Sequence, residues 1–474
     1  MHSPIFRTPS FRFGLAALSL LAGVPAALRA DDNVPPSNEA PQLSDAVGDG
    51  LAKLKEFLDA KDYTGAMNLM EGLRAKAEPD SYDQAFIYEN EARIMTQKGD
   101  FVASIGPLEK SLEISDRHHF NTVKQNLDIL YFLSQLYYQQ ADNAKTPHDE
   151  QVADFQKAIG YIERWFTLNP KPSEDISYYY SQLIYAEALA ISPAGHPDKD
   201  LIRKAQEQVE KTIAMSPKAK DSYYVFLLAT LQQLGDYPRS AEILELLLAH
   251  NPSSKTYWQD LTMFYMAMAQ NDKDKNDRKI KTYNIRAINT IERAQAHGYM
   301  TTPRDNYTLF SLYFNAGQYG KAADLLYEGL KSGGIDSTLA NWLLLASSYQ
   351  QINQDFTAIE ALKEASNRFP KNGEIDFKIG QVYQELDRDE DAYPYYKSAV
   401  DKGGLGKPLQ ALLFLAYSAY ELHKFDDAKV AIDRALELEG AKPDHQAQGL
   451  KNAIEDAIKE REAKKAEAAA PAAQ

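Results

Sequence analysis

The chain has no cysteine in 474 residues, which removes disulfides, thiolate metal sites and thiol nucleophiles at once. It also removes the lipid anchor that a bacterial lipoprotein attaches to a cysteine. No apolar run reaches the roughly 20 residues of a membrane-spanning helix; the longest, Phe13–Val24, holds about a dozen. Sustained apolar/polar alternation bounded by turn residues is missing, so strands are not expected. The nine histidines include no pair four residues apart around a glutamate, the spacing that seats zinc on a helix. Basic residues are in deficit, 52 against 67 acids, for a net charge of −15. That balance argues against binding nucleic acid or anionic lipid, which requires a basic footprint. It is compatible with a solubilising coat on a secreted helical rod, or with an acidic docking face for a basic partner.

What the chain does have is a recurring unit. The clearest copy runs from Leu339 to Phe369 and closes at Pro370. Trp342, Ala346, Tyr349, Ala358, Leu362, Ala365 and Pro370 occupy its fourth, eighth, eleventh, twentieth, twenty-fourth, twenty-seventh and thirty-second places. This spacing is similar to the tetratricopeptide pattern, a helix–turn–helix of about 34 residues. Small residues at three places let two antiparallel helices approach closely, large ones fill the space between them, and proline stops the second helix. One such hairpin cannot bury its apolar face alone, so copies must stack.

Other copies are weaker. Asp221–Pro252 carries Tyr224, the turn Gly235-Asp236-Tyr237, Ser240 and Leu244. A unit read from Tyr307 to Gly334 carries Gly317-Gln318-Tyr319 and Ala322. Downstream, Gly380, Tyr383, Ala392, Tyr396 and Ala399 repeat the offsets, as do Ala416, Ala419, Ala428, Ile432 and Ala435. The first half is degenerate. Lys61-Asp62-Tyr63 with Ala66, and Gly99-Asp100-Phe101 with Ser104, read as turns leading into second helices. Asn121–Gln140 pairs with Val152–Asn169, and Ile176–Ala190 with Leu201–Ser216, across long turns. Trp258 and Tyr265 open a unit with a long charged turn, Asn271–Lys279. The expected fold is all-α: a superhelical solenoid of about ten antiparallel helix pairs with a C-terminal capping helix.

The expected organisation is a signal peptide at 1–30, a flexible leader at 31–44, degenerate helix pairs at 45–217, the clear array at 218–440, a capping helix at 441–465 and a disordered tail at 466–474. Arg7 and Arg12 precede the apolar run, and small residues lead to a cut after Ala30, ahead of Asp31-Asp32. Such a signal implies secretion to the periplasm of a Gram-negative-type bacterium, with no stable membrane insertion. The leader holds Pro35, Pro36 and Pro41. In the cap, Leu450, Ile454 and Ile458 share one side. The alanine-rich end from Ala466 to Gln474 is expected to fray.

Residues that suggest chemistry have structural explanations. His118-His119 are adjacent and would point about 100° apart on a helix, a poor metal pair. Gly333-Gly334 and Gly403-Gly404 follow second helices, where glycine ends a helix. Asp426-Asp427 and Glu390-Asp391 open second helices, where acids complement the dipole. No serine has a nucleophile-elbow context. No catalytic residue, metal site or cofactor is expected, and function is assigned to binding. In this fold first helices line the groove, and the repeat offsets place Gln259, Asp260, Met263, Ser347, Gln350, Lys378, Gln381, Gln384, Tyr417 and Tyr420 there. Glutamine and tyrosine suit an extended or helical peptide.

From about Asn251 to Leu438 the chain also resembles periplasmic tetratricopeptide proteins associated with TonB–ExbB–ExbD energy-transduction systems. The residues that carry this are Tyr257-Trp258-Gln259-Asp260-Leu261 with Tyr265, Ala294 with Gly298-Tyr299, Leu312-Tyr313, Lys321-Ala322-Ala323, Gly329-Leu330, Gly333-Gly334-Ile335, and Trp342 with Leu345-Ala346. The resemblance implies a non-enzymatic accessory of TonB-dependent uptake that binds a TonB- or ExbD-type periplasmic segment. Two alternatives stand beside it. One is a general periplasmic scaffold for envelope, pilus or cell-wall assembly. The other is carbohydrate binding or catalysis in the first half, where Tyr178-Tyr179-Tyr180 and Trp165 could stack on sugar rings.

Overall fold

The computed structural model describes residues 42–143, 145–192, 196–271, 276–439 and 445–469. The expected signal peptide, the leader up to residue 41, and the last five residues lie outside them. Every regular element among the described residues is a helix. Twenty-one occur, from α1 (Asp45–Asp59) and α2 (Tyr63–Arg74) to α20 (Phe425–Glu439) and α21 (His445–Ala469). The chain divides into two compact units, one ending at Arg239 and the other beginning at Ser240. The division falls within α10 (Tyr237–His250), and α9 (Asp221–Leu234) packs directly on α8 (Lys199–Met215).

Within each unit the helices pair as antiparallel hairpins. In the first, α3 (Tyr82–Lys98) pairs with α4 (Ile105–His118), α5 (Val123–Ala141) with α6 (His148–Leu168), and α7 (Glu174–Ala190) with α8. In the second, α11 (Lys255–Gln270) pairs with α12 (Asp277–Ala296), and α13 (Pro303–Asn315) with α14 (Tyr319–Ser332). There α15 (Leu339–Gln350) also pairs with α16 (Asp355–Arg368), α17 (Glu374–Glu385) with α18 (Asp389–Lys402), and α19 (Pro408–Glu421) with α20. Second helices also pack on the next first helix, as α14 does on α15 and α18 on α19. This nearest-neighbour scheme is that of a tetratricopeptide-type solenoid.

Local chemistry sets the ends. Ser81, Ser173, Ser254 and Thr338 accept hydrogen bonds from the third backbone N–H beyond them, and Thr122 and Thr302 form complete capping boxes with Gln125 and Asp305. Thr302 and Pro303 start α13 four residues before Tyr307, where the sequence places the unit's opening. Seven hairpin turns share one backbone device. Lys61, Gly99, Gly235, Gly317, Asn353, Asp387 and His423 take left-handed φ between 57° and 88°. The next residue's N–H then donates to the carbonyl five back, at 2.8 to 3.0 Å.

The small-residue places close the hairpins. Ala346, Ala358 and Ala365 are fully buried, as are Ala392, Ala399, Ala416, Ala428 and Ala435. Trp342 fills the space beside them with no exposed surface, and its indole N–H donates to the Ser337 hydroxyl at 3.0 Å. Helix α21 packs on α20 through Ile454, which is buried, with Leu450 and Ile458 half-buried beside it. It runs on to Ala469, into the alanine-rich end. Alanine has the highest helix propensity, and Lys464–Glu460 adds an exposed pair one turn apart.

Candidate partner-binding face

Two kinds of surface arise from the hairpin register. The first joins neighbouring hairpins through a carboxylate on a second helix. In the first unit, Glu109 of α4 accepts from the Tyr137 hydroxyl of α5 at 2.6 Å and from Tyr161 of α6 at 2.7 Å. Lys157 lies over the Tyr137 ring, 4.6 Å from its centre. Glu163 repeats the arrangement with Tyr180 at 2.5 Å and Lys204 at 3.3 Å. In the second unit, Glu245 holds Arg293 at 2.9 Å, and Glu292 accepts from Tyr313 with Lys321 beside it. Burial and the adjacent carboxylates push the Tyr137, Tyr180 and Tyr313 hydroxyls well above the ordinary tyrosine range, so they stay protonated donors. Much of the tyrosine excess is therefore an internal fastening, repeated from hairpin to hairpin.

The second surface is the run of first helices, and in the second unit α15 and α17 touch directly. All ten sequence-selected residues lie on α11, α15, α17 and α19. Tyr417 is 47% exposed and Gln259 is exposed, while Met263, Ser347, Lys378 and Gln381 are half-buried. Asp260 is half-buried with no hydrogen-bond or ion-pair partner among the described residues, and burial lifts its carboxyl to about 6.

Three of the ten are engaged internally. Gln384 accepts the buried Tyr396 hydroxyl of α18 at 2.7 Å, so it belongs to the contact between α17 and α18 and not to the free face. Gln350 donates to Glu385 of α17 at 2.7 Å, tying two first helices together. Tyr420 packs on Phe425 of α20 with ring centres 5.9 Å apart. These residues lie at or near the last turn of their first helices, where the chain folds back and the second helix comes within reach. Tyr307 was missed: it is 39% exposed on α13, stacked at a tilt on Phe310. Starting that unit at Pro303 would have placed it on the same face, at the place of Gln259.

The sugar-stacking residues of the first half are occupied. Trp165 is buried against Phe166, and Tyr179 is buried against Tyr131. Tyr178 packs on Tyr223, while Tyr180 donates to Glu163. His118 bonds Asp80 at 2.9 Å, whereas His119 caps α4 in a left-handed conformation, so the two do not converge. Asp427 accepts from Tyr393 at 2.5 Å and Asp426 binds Arg461 with both oxygens. Among the described residues no group of three or more histidine, aspartate or glutamate side chains is arranged to hold a metal ion. No described helix is long and apolar enough to cross a membrane.

No family model matches the chain, and no curated protein matches it. Solved structures with a similar arrangement include a tetratricopeptide repeat protein from Parabacteroides merdae ATCC 43184. It is 13% identical over 68% of this chain and 93% of that one, with a TM-score of 0.32. A MamA structure is 21% identical over 37% of this chain and 90% of its own, with a TM-score of 0.28. A MamA structure labelled AMB-1 is 17% identical over 41% and 96%, with a TM-score of 0.29.

Proposed function

We propose that this chain is a non-enzymatic protein-binding scaffold of the periplasm, an accessory of TonB-dependent outer-membrane uptake that holds a TonB- or ExbD-type segment on its second unit. The observation that carries the binding role is the contrast between the two surfaces. Second-helix carboxylates and the tyrosines that donate to them are consumed in fastening the stack, whereas Tyr307, Tyr417 and Gln259 stand exposed on first helices. Exposed aromatic and amide groups on a rigid helical support suit recognition of a peptide at low entropic cost. The TonB association is supported by the sequence resemblance between about Asn251 and Leu438, and the periplasmic setting by the signal-like first thirty residues.

The test is co-purification after mild crosslinking, followed by titration with the separate periplasmic segments of the TonB and ExbD proteins of the same organism. Binding that Tyr417→Ala weakens supports the reading. No binding of either segment by the wild-type protein discards the TonB role.

A further inference from the structure

The second unit carries very little free charge on its first helices, and what it has is placed with a pattern. Outside the terminal turns of α11, α13, α15, α17 and α19, the charged residues are Asp260 and Lys378. Both occupy the sixth place of their units, two residues after Trp258 and two before Gly380, so they share one orientation on equivalent helices. The sixth places between them hold the uncharged Thr308 and Leu344.

Both are half-buried, and neither has a hydrogen-bond or ion-pair partner among the described residues. On the unit's second helices the half-buried Glu245, Glu292, Glu364 and Asp433 each face a lysine or arginine. A half-buried charge without a partner costs free energy, and burial lifts the Asp260 carboxyl in the same sense. A ligand group of opposite charge would relieve it.

We propose that this row reads an extended peptide by its charges, a lysine or arginine at Asp260 and an aspartate or glutamate at Lys378, with uncharged residues crossing Thr308 and Leu344 between them. Three helix-to-helix steps of about 10 Å span about 30 Å. At about 3.3 Å per extended residue, the two charges of the peptide stand about nine residues apart. The inference rests on the first-helix face being the partner surface, but not on the partner belonging to a TonB system.

The test is selection of a displayed library of random peptides about 15 residues long on the wild-type protein, on Lys378→Glu and on Asp260→Asn, each checked for helicity. Wild type should enrich a basic and an acidic residue about nine apart. Lys378→Glu should enrich two basic residues at that spacing, and Asp260→Asn should lose the basic preference. A peptide selected on wild type should bind Lys378→Glu about tenfold more weakly, and recover when its acidic residue is changed to lysine. No enriched spacing, or the same enrichment on wild type and Lys378→Glu, overturns the proposal. TonB and ExbD segments that neither match the selected pattern nor bind would overturn only the TonB role.

Discussion

The Tyr396 ring lies across Gly380, so close that a Cβ built on the glycine would come within 2.6 Å of two ring carbons. Tyr396 has no exposed surface and its hydroxyl is held by Gln384 one turn further along α17, so the ring has little room to yield. Gly380→Ala gains about 1 kcal/mol of helix propensity, but overpacking costs about 1–3 kcal/mol. The expected result is a lower melting temperature. Ala358→Leu should act in the same way against Ala346, since both alanines are fully buried. If either variant melts at or above wild type, the packing register of that hairpin is wrong.

The same contact shows what the sequence can and cannot convey. The offsets of Trp342, Ala346 and Ala358, or of Gly380 and Tyr396, follow from close packing of two helices. That requirement is periodic, so the fold and the best hairpins were legible. A hydrogen bond from Tyr396 to Gln384 depends on side-chain reach, which no spacing rule contains, so Gln384 looked like a free groove residue. Tyr307 was lost for a different reason. Its unit lacks the tryptophan and closing proline that anchor the others, and the start was placed one turn late. The fastening tyrosines were legible only as an excess, because each carboxylate partner comes from the preceding hairpin, 17 to 52 residues away in sequence.

Turn conformation gives a prediction of opposite signs in the two units. Lys61 and Gly317 occupy equivalent left-handed turn positions, with φ of 57° and 74°. A side chain there costs roughly 1–2 kcal/mol, and glycine escapes it. Lys61 is exposed and its side chain makes no hydrogen bond or ion pair among the described residues. Lys61→Gly should raise the urea midpoint of the first unit's transition, while Gly317→Ala should lower that of the second. Matching shifts in one direction would show that the turns do not set the balance.

Asp376 is 2% exposed, yet it accepts from Ser366 at 2.7 Å, Ser398 at 2.5 Å and Lys402 at 2.6 Å. It joins α16, α17 and α18 at one point. Asp376→Ala leaves the Lys402 ammonium without its carboxylate, and breaking a buried pair costs about 3–5 kcal/mol. Changing Lys402 and Asp376 together to methionine and leucine should cost much less. Thermal unfolding of the single and double variants separates the two cases. Equal losses would mean that the network contributes no coupling.

Asp260 supplies a pH dependence with a definite sign. Its folded carboxyl titrates at about 6, above the ordinary 3.8, so the folded state binds the proton more tightly. Stability tied to this group is full below pH 4 and declines as pH rises through about 6. Asp260→Asn removes that decline. At pH 7 the variant should be more stable by roughly 1–2 kcal/mol, after discounting for solvent screening at a half-exposed site. Near pH 4 the two proteins should unfold together. A constant difference across this range would mean that Asp260 is not desolvated, and would take away the cost that a basic ligand is proposed to relieve.

The last prediction separates fastening residues from recognising ones on the same helices. Gln384 and Tyr417 lie on α17 and α19 and the repeat offsets assign both to the groove, but Gln384 is bonded to a buried hydroxyl and Tyr417 stands 47% exposed. Gln384→Ala leaves the Tyr396 hydroxyl unsatisfied inside the hairpin, at a cost of about 1–3 kcal/mol. Tyr417→Ala removes a ring that covers little, and an exposed substitution of this kind changes stability by about 0.5 kcal/mol or less. For partner binding the order reverses. Tyr417→Ala is expected to lose about 1–3 kcal/mol of affinity as an exposed aromatic anchor, whereas Gln384→Ala should bind normally at temperatures where it remains folded. Melting curves and titration of both variants against the captured partner decide the matter. A Tyr417→Ala protein that is destabilised yet binds like wild type would place the partner surface elsewhere than the first-helix face.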